Sequence, residues 1–118
     1  MTHHQPDIDR TFRALADPTR RAVLARLARG AASVKELAEP FGMALPSFMA
    51  HLKLLEDSGL MVSEKQGRVR LCRFDPAPVR AAEHWLAEQR RLWETRLDQL
   101  DGYLLTLQNG DPDERDQP

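Results

Sequence analysis

The stretch SVKELAEPFGMALPSFMAHLKLLEDS, residues 33–58, holds two helical segments separated by a short break. Ser33 and Glu36 have the spacing of a capping box, in which each side chain takes up an exposed backbone donor of the other residue. Val34, Leu37, Ala38 and Phe41 recur at i, i+3, i+4 and i+7, which is one apolar face of a helix. Pro40 and Gly42 end that segment. Pro46 opens the next, at a position where its missing N–H leaves no bond unmade. Phe48, Leu52 and Leu55 give the second helix its core side, and Gly59 lies past its end. Two short helices joined by a glycine-containing turn form a helix-turn-helix. In such a unit the first helix braces while the N-terminal part of the second can enter a DNA major groove.

Working outward, residues 1–7 read as a frayed, flexible N-terminus. Ile8, Phe12 and Leu15 follow helical spacing up to Asp17. Asp17-Pro18 then opens a second helix, with aspartate as cap and proline at the first helical position. Val23, Leu24 and Leu27 form its apolar stripe, and Gly30 closes it. On the other side, residues 60–74 read as a β-hairpin with Gln66-Gly67 at the tip, Val69 and Leu71 alternating with Arg68, Arg70 and Cys72. Residues 75–78 read as a loop containing Pro76 and Pro78. From Val79 to Leu107 the apolar residues Leu86, Trp93, Leu97, Leu100, Leu104 and Leu107 follow the spacing of a coiled-coil seam. Residues 108–118 read as a flexible acidic tail. The expected fold is therefore mainly α with a small β-hairpin. Residues 8–107 make a winged helix-turn-helix with an N-terminal helix and a long C-terminal dimerisation helix over 79–107.

Bulk properties agree with one domain. A chain of 118 residues has room for one modest core, and no apolar run approaches the roughly 20 residues of a spanning helix. The first residues lack the apolar stretch of a secretory signal. Cys72 is the only cysteine, so no intrachain disulfide can form, which suits a reducing cytoplasm. The formal net charge of -1 conceals a segregation. Arg10, Arg13, Arg20, Arg21, Arg26 and Arg29 gather near the start, Lys65, Arg68, Arg70 and Arg73 in the hairpin, and acids in the tail from Asp111 to Asp116.

With these features in place the sequence resembles the ArsR/SmtB family of winged-helix transcriptional regulators. The resemblance rests on FRALADPTRRAVL (residues 12–24), SVKELA (33–38), LPSFMAHLKLLEDSGL (45–60), Gly67-Arg68 and Phe74-Asp75-Pro76. It implies a homodimer, built from first and last helices, that represses promoters until an inducer releases it. Many members carry a metal-binding cysteine pair in the bracing helix, where this chain reads Leu37-Ala38-Glu39-Pro40-Phe41. Others use aspartate and histidines on the last helix, where this chain has only His84. Tetrahedral zinc needs four ligands in place, so no metal site and no cofactor are expected. His3 and His4 read as an ordinary terminus.

On a helical wheel with Phe48, Leu52 and Leu55 inward, Pro46, Ala50, Lys53 and Asp57 face outward, flanked by Ser47, Met49 and His51. Ser47 and Lys53 are the expected polar groove contacts. Met49 and Ala50 cannot donate to base edges but can pack against thymine methyls, unlike the polar or basic readers usual in the family. For His51 a groove or phosphate contact and an internal helix-bracing hydrogen bond both stay open. Lys65, Arg68 and Arg70 on the wing suit phosphates or the minor groove. Ile8, Phe12, Leu15, Trp93, Leu97, Leu100 and Leu104 are the expected dimer interface, the simplest partner for a helix too long for its own domain to cover. The expected partners are double-stranded DNA with a pseudo-palindromic operator and a second copy, with no membrane. No serine, histidine or carboxylate grouping suggests catalysis, so an enzyme is not expected. Two other readings stay open: a protein-interaction module, and a regulator with a small-molecule site at the dimer helices near Trp85 and Trp93.

Overall fold

The structure, a computed structural model, describes residues 6–109. In order these form α1 (Pro6–Leu15), α2 (Pro18–Leu27), β1 (Ala32–Ser33), α3 (Val34–Ala38), α4 (Leu45–Asp57), β2 (Met61–Gln66), β3 (Val69–Phe74) and α5 (Ala77–Asn109). The strands make one antiparallel sheet in the order β1-β3-β2. The expected winged helix-turn-helix is present, with several boundaries moved for identifiable reasons.

Pro6 and Asp7 belong to α1 rather than to a frayed start. Asp7 contributes its carbonyl to the buried Thr11 hydroxyl at 2.9 Å. Helix α3 ends at Ala38, short of Phe41, because Pro40 has no N–H to continue the ladder; the Phe41 N–H closes a turn on the Ala38 carbonyl instead. Residues 75–78 are not wholly a loop. Helix α5 begins at Ala77, and Pro78 sits in its first turn, where no donor is needed. The Asp75 carboxylate accepts from the Ala77 N–H at 3.0 Å and fixes that start. The hairpin tip is Gly67-Arg68 rather than Gln66-Gly67, with Gly67 at a φ of 64°. Strand β1, absent from the sequence reading, pairs Ala32 with Cys72 and Ser33 with Leu71. Of the tail, Gln108 and Asn109 are helical. The expectations for residues 1–5 and 110–118 lie outside the described residues.

The chain divides into two units after Glu83. In the first, Phe48, Leu52 and Leu55 of α4 pack with Val23, Leu24 and Leu27 of α2, Leu37 of α3, and Leu60, Met61 and Cys72 of the sheet, all buried. Each such side chain contributes roughly 1.5–3 kcal/mol by leaving water, and the Phe41 ring extends the packing, its centroid 5.4 Å from that of Phe48. Helix α4 ends in a Schellman motif. The Gly59 N–H reaches the Glu56 carbonyl at 3.0 Å, the Leu60 N–H reaches the Leu55 carbonyl at 3.1 Å, and Gly59 takes a φ of 80°. The buried Leu60 completes the motif and aims the chain into β2.

The second unit, from His84, is the body of α5. Along it Leu86, Trp93, Leu97, Leu100, Leu104 and Leu107 stand about half exposed. Leu92 and Tyr103, also exposed, lie beside this row and widen the apolar arc to about 140°, more than a strict two-helix seam occupies.

The two glycines Gly59 and Gly102 separate backbone strain from helix propensity. Gly59→Ala, forced into a left-handed conformation, is expected to lower stability by about 1–2 kcal/mol. Gly102→Ala, inside α5 with open space around the new Cβ, is expected to raise it by up to about 1 kcal/mol. Urea unfolding of both variants checks the two signs.

Candidate nucleic-acid interface

Helix α4 is amphipathic by necessity. Its inner row is sealed in the core, so Ser47, Met49, Ala50 and Lys53 are turned outward, and all four are exposed. Its first turn carries no side-chain cap, since Ala44 occupies the cap position. The backbone donors there are left for an outside acceptor, at the positive end of the helix. The Lys53 ammonium lies 3.5 Å from the Asp57 carboxylate, a solvent-exposed pair that competes weakly with any other anion.

The wing lies beside this helix. Lys65 stands directly opposite Arg70 in the β2–β3 register, with Arg68 in the turn, and all three are exposed. Like charges directly opposite one another on a sheet repel, a cost that a bound anion would relieve. Arg70 is also anchored. Its guanidinium donates to Ser63 Oγ at 2.7 Å, and that hydroxyl donates to the Glu56 carboxylate of α4 at 2.6 Å. The chain Arg70–Ser63–Glu56 therefore ties the wing to α4, a contact invisible to periodicity. Between wing and helix runs an open groove of about 820 Å3, its apolar wall including Leu45, Met49 and Val69 and its charged edge Arg68 and Arg70.

His51 is held from within. The Arg20 guanidinium donates to its Nδ1 at 3.0 Å. A guanidinium can only donate, so Nδ1 accepts and the neutral ring carries its proton on Nε2. Nε2 has no protein partner among the described residues and is not sealed from solvent. Of the two roles open for His51, the internal bond is thus made, and the outer nitrogen stays available. Arg20 also donates to the carbonyls of Ala14 at 2.8 Å and Arg13 at 2.9 Å, while Arg21 donates to Leu15 at 2.7 Å. The orphan carbonyls at the end of α1 are capped by α2, and one of the capping arginines holds α4 as well. Sequence reasoning missed Arg20 because its partner His51 lies far along the chain; the only signal was a basic residue off the apolar stripe of α2.

Asp17 caps α2 by accepting from the Arg20 N–H at 3.1 Å and lies 3.7 Å from His51 Nδ1. Partial desolvation raises its pKa, but the hydrogen bond from the Arg20 N–H and the charge of the Arg20 guanidinium outweigh this and hold it below the usual value. Glu36 is likewise lowered, by the backbone and side-chain hydrogen bonds of Ser33, and the capping box is complete at 2.8 and 3.1 Å. Burial pushes the Cys72 thiol up, with Glu56 adding to the effect and Arg70 opposing it. Cys72 is a buried packing residue on the central strand β3, paired with Ala32 of β1.

The expected dimer residues fall in different places. Ile8 is half-buried, Phe12 is exposed at 37%, and Leu15 packs partly against the core. Trp93, Leu97, Leu100 and Leu104 are exposed on α5.

A helix-turn-helix domain family matches residues 15–64. The HTH-type transcriptional regulator Rv2034 of Mycobacterium tuberculosis is 39% identical over 80 residues, 68% of this chain and 73% of that protein. A crystallised ArsR family transcriptional regulator superposes with a TM-score of 0.74 at 58% identity, covering 80% of this chain and 97% of its own. The chain belongs to the ArsR family of transcriptional regulators. Another relative, the transcriptional repressor SdpR of Bacillus subtilis, is 25% identical over 79 residues, 67% of this chain and 88% of that protein. In this ArsR-family chain, residues 37–41 carry no thiol. Among the described residues no three His, Cys, Asp or Glu side chains are grouped to hold a metal ion, and no helix is long and apolar enough to cross a membrane.

The lowered carboxylates of Asp17 and Glu36 tie part of the stability to pH. A depressed folded-state pKa contributes stability that is present above the unfolded value, about 4, and is lost as pH falls through the folded one. Urea midpoints are expected to hold from pH 7 to about 5 and to drop below about 4. The D17N/E36Q variant is expected to start lower at pH 7 and to show a shallower acid decline.

Proposed function

We propose that the chain is a homodimeric, sequence-specific DNA-binding repressor that works in the cytoplasm, with no catalytic activity and no metal-sensing site of the cysteine or histidine type. The observation that carries this reading is the outward face of α4, exposed beside a wing that sets Lys65 against Arg70. A helix locked on one side and bare on the other can enter a major groove without rearrangement. The two wing cations gain from a phosphate what they lose to each other.

In this reading Ser47 and Lys53 supply the polar groove contacts, and Met49 and Ala50 pack on thymine methyls. Lys65 and Arg68 bind backbone phosphate. Arg70 does so while holding Ser63, and His51 offers Nε2–H to a phosphate oxygen while Arg20 fixes its ring. Selection from a random duplex pool is expected to return a pseudo-palindrome with thymines under Met49 and Ala50. Ala50→Arg is expected to change the preferred bases at that position; an unchanged preference would remove Ala50 from the reading face. Affinity for the selected duplex is expected to fall steeply with salt, and salt-insensitive binding or none would sink the proposal.

The partner is a second copy. Helix α5 is about 50 Å long, and the exposed arc on its C-terminal part is an apolar surface of the kind that subunit interfaces cover. We assign Trp93, Leu97, Leu100 and Leu104 to that interface, with Ile8, Phe12 and Leu15 of α1. Sedimentation is expected to give a dimer at micromolar concentration. The L97D/L104D variant is expected to sediment as a folded monomer with at least tenfold weaker binding to the palindrome, because each half-site then binds alone. A wild-type monomer would overturn the assignment.

A further inference from the structure

Helix α1 presents three distinct faces. Thr11 and Ala14 are buried against the domain. About 100° to one side lie Ile8, Phe12 and Leu15, and about 100° to the other lie Arg10 and Arg13. Both arginines are exposed, and among the described residues neither side chain has an ion pair or a hydrogen-bond acceptor. Their neighbours in the early arginine cluster differ: Arg20, Arg21 and Arg26 each donate to backbone carbonyls.

The basic flank of α1 faces the reading helix. Arg10 and Arg13 form one wall of an open cleft of about 570 Å3, whose other wall is Ala50, Lys53 and Asp57, the outward row of α4. Three cations meet there with a single carboxylate, Asp57, already shared with Lys53 at 3.5 Å. An anion that reaches the outward row of α4 from this side therefore passes beside two unpaired guanidinium groups. Resting on the DNA-binding reading above, we propose that Arg10 and Arg13 seat a backbone phosphate of the duplex that α4 enters. Arginine suits this role, since its planar fork can bind two phosphate oxygens at once. Helix α1 then has two jobs on opposite flanks, partner contact on one and DNA backbone on the other. The seat reads no bases, so it adds affinity equally to every sequence.

The test is fluorescence anisotropy of the full chain with the selected duplex and with a scrambled duplex, over a range of sodium chloride. R10Q/R13Q is expected to weaken binding to both duplexes by the same factor, roughly fivefold per lost contact at 0.15 M salt. It is also expected to reduce the slope of log affinity against log salt by about 1 for each contact. Arg13→Lys keeps the charge and is expected to keep the slope. Arg29→Gln, in the turn after α2, is expected to change neither quantity, and thermal melting confirms that the variants are folded. Wild-type affinity and slope in folded R10Q/R13Q would overturn the seat while leaving the DNA-binding reading intact. Loss confined to the selected duplex would also overturn it, because the arginines would then be reading bases. Absence of salt-dependent binding by the wild-type chain would remove both proposals together.

Discussion

Phe48, Leu52 and Leu55 must be buried on one side of a helix only 13 residues long, and that requirement orients the surface on which the proposed function depends. With three large side chains sealed into a close-packed core, α4 cannot rotate without opening cavities worth several kcal/mol. Ser47, Met49, Ala50 and Lys53 are outward because the inner row is inward. Two polar devices then act on the same helix. Arg20 holds His51 from α2, and Ser63 links Glu56 to Arg70 of the wing. The hydrophobic core fixes the rotation of the helix, and these bonds fix which neighbours accompany it.

The basic residues show why net charge says little about such a protein. A total of -1 suggests no attraction to DNA, and even the segregation of arginines overstates the case. Arg20, Arg21 and Arg26 cap carbonyls at the ends of α1 and α2. They would serve in a protein that never met a nucleic acid, because carbonyls left over at helix ends need donors. The cations proposed to meet DNA, among them Arg10, Arg13, Lys65 and Arg68, cap no carbonyl among the described residues. Only a structure separates the two groups.

Legibility followed the same division. Periodicity and capping mark each helix among the described residues, because helix period, proline position and the Ser33–Glu36 box are local properties of the chain. The hairpin was visible from alternation and Gly67. What was not visible was short or non-local. Strand β1 has two residues, too few to show alternation, and exists because β3 offers an edge. Pro78 looked like a loop residue because proline has two meanings, and only the Asp75 cap distinguishes a helix start. The outward face of α4 could be read from a wheel, whereas the Arg20–His51 contact, with its ends on different helices, could not.

Separating these layers also separates two aspects of the proposed recognition. Base preference would be written on the outward face of α4, a surface held by the core of the first unit and by the wing. The spacing between half-sites would be set by how two copies meet, at about 34 Å for adjacent turns of DNA, and would be written on the apolar arc of α5. A substitution at Ala50 can then change which bases are preferred without changing their spacing, and one at Leu97 can abolish the spacing without changing the bases. Arg10 and Arg13 belong to neither layer. They act on affinity for any duplex, and they sit on α1, whose opposite flank carries Ile8 and Phe12. With the proposed contacts on both flanks, a change at the dimer would be felt through α1 first as a change in affinity, before any change in sequence preference.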